Sequence, residues 1–264
     1  MARMPTLFID HGGGPCFFMD RKEIWNGLAA HLKGIAAGLE TKAKAIVVIS
    51  GHWEAAVPTV QVNPHPPLLF DYYGFPEHTY RLTYPAPGAP DLARHIRDLL
   101  GEAGFSSGED ADRGFDHGVF VPFLLVFPEA DIPVVQLSLH DSLDPAVHLA
   151  IGRAIAPLRE EGVLIVGSGM SFHNNRGLFA SDPRISIAAA AFDDWLAHAT
   201  TAQPDDRDQK LTAWESAPYA RFCHPREEHL LPLMVAAGAA GDDTAVRDYS
   251  DRVMGKALSG FRFG

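Results

Sequence analysis

"IPVVQLSLHDSLDPAVHLAIGRAIAPLREEGVLIVGSG" (residues 132–169) begins and ends with the same kind of segment. Residues 132–139 and 162–169 are short, continuous apolar runs rich in branched side chains, which reads as strands buried on both faces. Asp144-Pro145 between them supplies a helix cap followed by the residue best suited to a first helical turn. Val147, Ile151, Ile155 and Leu158 then recur on one stripe of that helix. A strand, a helix and a second buried strand imply parallel pairing through a crossover.

The unit has a counterpart near the N-terminus. Residues 5–9 (PTLFI) and 45–50 (AIVVIS) read as buried strands, and Trp25, Leu28, Leu32, Ile35 and Leu39 form an amphipathic helix between them. Alternating strands and helices predict an α/β fold: a mostly parallel central sheet with helices on both faces. No linker, repeat or low-complexity tract divides the chain, so residues 1–264 are expected to form a single domain.

Composition removes several functions. A formal net charge of −11 disfavours nucleic acid, which needs a basic face. The longest apolar run, Val119 to Phe127, is too short to span a bilayer and contains Pro122. Two cysteines, Cys16 and Cys223, make no disulfide framework. With no basic-then-apolar leader before the first strand, a cytoplasmic protein is expected.

Residues 63–90, "NPHPPLLFDYYGFPEHTYRLTYPAPGAP", hold seven of the twenty prolines and four of the six tyrosines. So long a loop is either an active-site element or an Ω-loop packed on its own aromatics. Tyr72, Tyr73 and Phe75 are the candidates for a pocket wall.

The chain has thirteen histidines. His11 follows the first strand, in "LFIDHGGGP" (7–15); the glycines there lack the lysine and spacing of a phosphate loop. His52 follows the strand 45–50, and His173 follows the strand 162–169 after a short turn. Ligands in open α/β sheets collect beyond the carboxyl ends of strands, where all three emerge. His117, beside Asp116, and His229, at the opening of a helix, have suggestive settings. His31, His95, His148 and His198 fall on helices, where solvated faces explain them. His65, His78, His140 and His224 lie in loops, and of these His78 and His224 remain within reach of a ligand. Neutral imidazoles gathered at a strand edge suit a first-row divalent metal. With no H-E-x-x-H and no C-x-x-C, the ligands must come from distant segments.

Six stretches in order resemble the DOPA-type extradiol dioxygenases of the class III, LigB-like superfamily: "PTLFIDHGGGP", "VVISGHWE", "FDYYGFPEHTYRLTYPAPG", "DHGVFVPFLLVFPEADIPVVQLSL", "GSGMSFHN" and "EEHLLPL". The resemblance runs from residue 5 to about residue 240. It implies that His11, His52 and His229 bind the metal. It implies that His173 is the acid/base histidine near the substrate, in some relatives an additional ligand. His117 would be a second active-site histidine that touches oxygen or substrate. Relatives read S-H-G-S/A-P where this chain has Asp10-His11-Gly12-Gly13-Gly14-Pro15. Asp10 then either holds the His11 ring as an acceptor or faces away from it. The wider superfamily has glutamate as third ligand, and Glu227 and Glu228 directly precede His229; the DOPA-type branch has histidine there.

The implied reaction is cleavage of a catechol-type ring by O2 next to its hydroxyls, giving a ring-opened semialdehyde. It requires Fe(II), and Zn(II) can occupy the same three imidazoles. The catechol is left open among caffeate, DOPA, protocatechuate and larger lignin-derived phenols. His224 joins Tyr72, Tyr73 and Phe75 as a candidate substrate contact. A small homo-oligomer is common for such enzymes. The competing readings are a zinc-dependent hydrolase and a non-enzymatic, Memo-like binding protein.

Overall fold

A computed structural model describes residues 3–20 and 22–264. Eight strands form one sheet: β1 (Thr6–Asp10), β2 (Ala45–Ala55), β3 (Thr59–Gln61), β4 (Gly108–Asp110), β5 (Val134–His140), β6 (Val163–Gly169), β7 (Ala245–Val253) and β8 (Lys256–Phe263). Their order is β4-β3-β5-β2-β6-β1-β8-β7. The central strands β5, β2, β6 and β1 pair in parallel, as the buried apolar runs predicted. All seven residues of β6 are buried, which a strand covered on both faces requires.

The helices are α1 (Asn26–Ile35), α2 (Pro90–Glu102), α3 (His117–Val126), α4 (Pro145–Ile155), α5 (Asn175–Leu178), α6 (Pro183–Thr200), α7 (Pro204–Thr212), α8 (Ala220–Cys223) and α9 (Leu231–Ala240). Two hydrogen bonds show that they cover both faces. Thr6 of β1 donates to the Ala236 carbonyl in α9, and Thr6 is paired with Ile165 of β6. Ser168, an odd number of residues further along β6, donates to the Gly118 carbonyl in α3. Side chains alternate along a strand, so α9 and α3 lie on opposite sides. Every residue of α9 is buried, so the helix can be apolar all round. Asp144 caps α4 by accepting from the Ala146 amide at 2.8 Å, with Pro145 as first residue.

Three features depart from the sequence reading. β2 continues past residue 50 to Ala55, with its register against β5 shifting between Ile49 and Glu54, so His52 lies inside an irregular strand rather than after it. The hairpin β7–β8 closes one edge of the sheet through Met254 and Gly255, both at positive φ, as a tight two-residue turn requires. Its first strand, AVRDYSDRV, is mostly solvent-facing and charged, so it carries no apolar run to read. His148 is fully buried on α4, not on a solvated face. Its Nε2 accepts from the His140 amide and its Nδ1–H donates to the Asp144 carbonyl, which ties β5 to the helix that follows.

No helix among the described residues is long and apolar enough to cross a membrane.

Candidate active site

The parallel strands deliver their carboxyl ends to one edge of the sheet, and five histidines meet there. His11 leaves β1, His52 stands on the bulged end of β2, and His173 follows β6. His117 opens α3, and His229 lies just before α9. Ring centroids of His11 stand 4.9 Å from His52, 5.3 Å from His117 and 5.2 Å from His229. The His173 ring stacks on His229 at 3.4 Å.

The backbone is shaped to permit this crowding. Gly12 turns the chain at φ +81°, a left-handed conformation that carries it away from the cluster immediately after His11. Gly51 allows β2 to approach residues 228 and 229: a Cβ there would stand 3.1 Å from the Glu228 carbonyl oxygen and 3.2 Å from the His229 ring.

Each imidazole of His11, His52 and His229 turns Nδ1 outward and Nε2 inward. His11 Nδ1–H donates to the Gly12 carbonyl at 2.8 Å, and its Nε2 is buried with no partner. His229 Nδ1–H donates to Glu228 at 2.8 Å. His52 Nδ1 faces Asp71 at 3.5 Å. One nitrogen from each of the three lies within 4.8 Å of the others. The Nε2 atoms of His52 and His229 are 3.2 Å apart. With the His229 proton on Nδ1 toward Glu228, its Nε2 is a lone pair that either accepts from His52 or shares a cation with it. Nitrogens about 2.1 Å from one ion stand roughly 3.0–3.4 Å apart at angles between octahedral and tetrahedral. The donor set therefore fits a divalent metal.

Electrostatics keep these rings neutral, the form that can ligate. Burial holds His11 and His229 well below the usual histidine range, and the neighbouring imidazoles push them further. His52 is lowered to about 4, first by burial and then by His117. Glu228 accepts from both His229 and His173, the latter at 3.1 Å. Burial pushes its carboxyl up, but the bond and charge of His173 outweigh that and leave it lowered.

Asp10 faces away from the His11 ring. Its carboxyl accepts from the Ser171 amide at 2.6 Å in a fully buried setting that raises it to about 8, burial being the main cause. Glu227 is spent on Arg221 at the surface. Asp116, the sequence neighbour of His117, is also consumed: it accepts from Ser50, Arg113 and Gln136.

Two expected substrate contacts are corrected. Tyr73 is 92% exposed and points into solvent, because its neighbours Phe70 and Tyr72 take the inward positions of the loop. His224 is fully buried between Phe192 and Trp214, donates from Nε2 to the Ser171 carbonyl, and is lowered to about 4 by burial. It braces the turn that carries His173. Tyr72 stands edge-on to His117 at 5.9 Å with its hydroxyl donated to the Thr79 carbonyl. Phe75 packs on the Gly14 turn. His78, exposed, ties the loop to the Phe18 carbonyl. Sequence reasoning missed Asp71, 2.7 Å from His117 Nδ1; its only sign was its place in the aromatic run of residues 70–75.

A cavity of about 640 Å³ opens beside the cluster, bordered by His173, Glu228, Arg176, Arg221, Phe222 and Arg226. Comparison with known proteins gives this arrangement its context. Residues 6–259 match the family of the catalytic LigB subunit of aromatic ring-opening dioxygenase. The chain belongs to the LigB family. It is 42% identical to a 4,5-DOPA dioxygenase extradiol of Beta vulgaris over 90% of this chain and 88% of that protein. It is 38% identical to the dioxygenase tasH of Hapsidospora irregularis over 100% of this chain and 86% of that one. The crystal structure of an uncharacterized Escherichia coli K12 protein shares the fold with a TM-score of 0.81 at 30% identity, covering 99% of this chain and 100% of that one. This LigB chain is thus an extradiol ring-cleaving dioxygenase, metal-dependent like its family and acting on an aromatic substrate with O2. The hydrolase and binding-protein readings fall away.

Proposed function

We propose that the chain is an Fe(II) enzyme that opens catechol-type rings next to their hydroxyls to give a semialdehyde, with His11, His52 and His229 as metal ligands. The observation that carries this reading is that one nitrogen from each of the three lies within 4.8 Å of the others, with His11 Nε2 buried without a partner while the Nδ1 atoms of His11 and His229 are bonded to the Gly12 carbonyl and Glu228. His11 and His229 are the buried anchors and His52 is the more open position.

Bound Fe(II) supplies positive charge that acidifies the catechol hydroxyls, and the redox couple through which ring and O2 react. The protein residues handle geometry and protons. His173 borders the cavity and keeps Nδ1 toward Glu228, which leaves Nε2 to take a hydroxyl proton and return it later. His117 keeps Nδ1 on Asp71 and offers Nε2 to the oxygen substrate. Tyr72, edge-on to His117, and Phe75, on the turn after His11, keep water from the far side. Both oxygen atoms end in the product, and the four electrons come from the ring, so no external reductant is required.

The cavity is larger than a bare six-membered ring fills, which favours catechols carrying a side chain. Relatives named as 4,5-DOPA dioxygenases place DOPA at the head of the panel. The test is oxygen uptake by protein reconstituted anaerobically with Fe(II), against DOPA, caffeate, protocatechuate and larger phenols. Uptake with a yellow product is expected, and the Zn(II)-loaded protein is expected to be inert. No uptake with iron confirmed in the site, or equal turnover with zinc, would overturn the reading.

A further inference from the structure

We propose that Asp71 is a positioning residue: its carboxylate sets the rings of His117 and His52 so that both present Nε2 to the reacting centre. The inference rests on the functional reading above.

The geometry is specific. Asp71 Oδ1 accepts from His117 Nδ1 at 2.7 Å and from the His117 backbone amide at 3.0 Å. Its other oxygen, Oδ2, lies 3.5 Å from His52 Nδ1. A carboxylate only accepts, so His117 carries a proton on Nδ1 and points Nε2 toward the centre. The two imidazoles are only 4.0 Å apart, at 48° to each other. Without an outside acceptor, either ring is free to turn over and exchange nitrogen for carbon at the centre. One carboxylate facing both rings removes that freedom.

The backbone bond adds a second link. The first amides of α3 need partners from outside the helix. The preceding residue, Asp116, is the natural donor of a capping oxygen, yet its carboxylate is committed to Ser50, Arg113 and Gln136. Asp71 fills the vacancy from 46 residues away. It is held in register by Phe70 and Tyr72 on either side of it, whose rings pack on Phe120 of α3 at 5.4 and 6.3 Å. Phe70, Asp71 and Tyr72 therefore brace the histidine cluster from the loop.

Asp71→Asn keeps, through its amide oxygen, the acceptor that takes both the His117 backbone amide and the His117 ring, but it loses the charge and turns an NH2 donor toward His52 Nδ1. In iron-loaded protein it should lower kcat about 10- to 100-fold, with KM for the catechol changing less than about threefold. Asp71→Ala removes the acceptor: in that variant, zinc-loaded, long-range nitrogen–proton spectra should show the His117 Nδ1–H tautomer losing dominance; the His117 signals are those absent from His117→Gln. If Asp71→Ala does not fold, Asp71→Asn decides by kcat alone. Unchanged kcat in Asp71→Asn, or an unchanged His117 tautomer in folded Asp71→Ala, would overturn the proposal. A wild type without oxygen uptake would overturn the functional reading instead, while the tautomer spectra would still judge Asp71.

Discussion

At the start of β1 the buried guanidinium of Arg159 donates to the carbonyls of Met4, Ala239 and Ala240 and to the Asp243 carboxylate. At the end of the same strand, His11 leaves Nε2 buried without a partner. α9 connects the two settings, with His229 before its first residue and the Arg159 acceptors at its last. One end of the sheet spends its polar groups on itself; the other keeps lone pairs aimed at a point in space. Satisfied buried groups stabilise, whereas unsatisfied ones are tolerated where something else is to be bound. Substitutions at the two ends should therefore fail in different assays.

The largest effect is expected at the cluster. His11→Ala or His52→Ala should lose bound metal and turnover outright, while thermal stability of the metal-free protein stays within about 1 kcal/mol of wild type. Full metal stoichiometry in either variant would refute its ligand role. His173→Phe should retain metal and lose about 10²- to 10⁴-fold in turnover, the range of a general acid/base. Undiminished activity would sink that assignment.

At the opposite end the pattern should invert. Arg159→Met leaves the Met4 and α9 carbonyls without their donor and the Asp243 carboxylate with Arg3 alone, a loss of about 3–5 kcal/mol by urea unfolding. Turnover per folded molecule should stay the same. A variant that folds normally but loses activity would break the comparison.

The contrast also explains what sequence alone could reveal. β1, β2, β5 and β6 are buried on both faces, so each is a continuous apolar run that can be read directly. Histidines placed just beyond such runs inherit the legibility of the strands, which is why His11, His52 and His173 stood out. Asp71 did not, because its meaning depends on where a proline-rich loop returns to the sheet. His148 was misread because its helical spacing resembles that of a solvated face, and only the folded connection between β5 and α4 supplies its two partners. β7 was invisible for the opposite reason: an edge strand is polar enough to pass for loop.

Acid should expose a further, smaller difference. His148 is lowered to about 4, by burial first. The unfolded chain holds the same imidazole near 6.5, so it binds more protons than the folded chain between those values. Stability therefore falls as pH drops from about 6.5 to about 4, by on the order of 2 kcal/mol for this group at pH 5. Substituting His148→Gln should flatten that part of the urea-midpoint profile. An unchanged slope would mean that the ring protonates in place.

The smallest expected effect marks where the functional end stops. Asp144 and His148 sit beyond β5 on the same side of the sheet as the histidine cluster, yet their polar atoms are paired, as those around Arg159 are. Asp144 accepts from the Ala146 amide and its own carbonyl accepts from His148, a closed set of local bonds at a helix start. Asp144→Ala should cost about 1 kcal/mol, the usual loss for a helix cap, and leave kcat and KM unchanged. If turnover falls instead, the division follows the whole edge of the sheet. If only stability falls, it follows the cluster, and a partnerless nitrogen such as His11 Nε2 is a better guide to function than nearness to the strand ends.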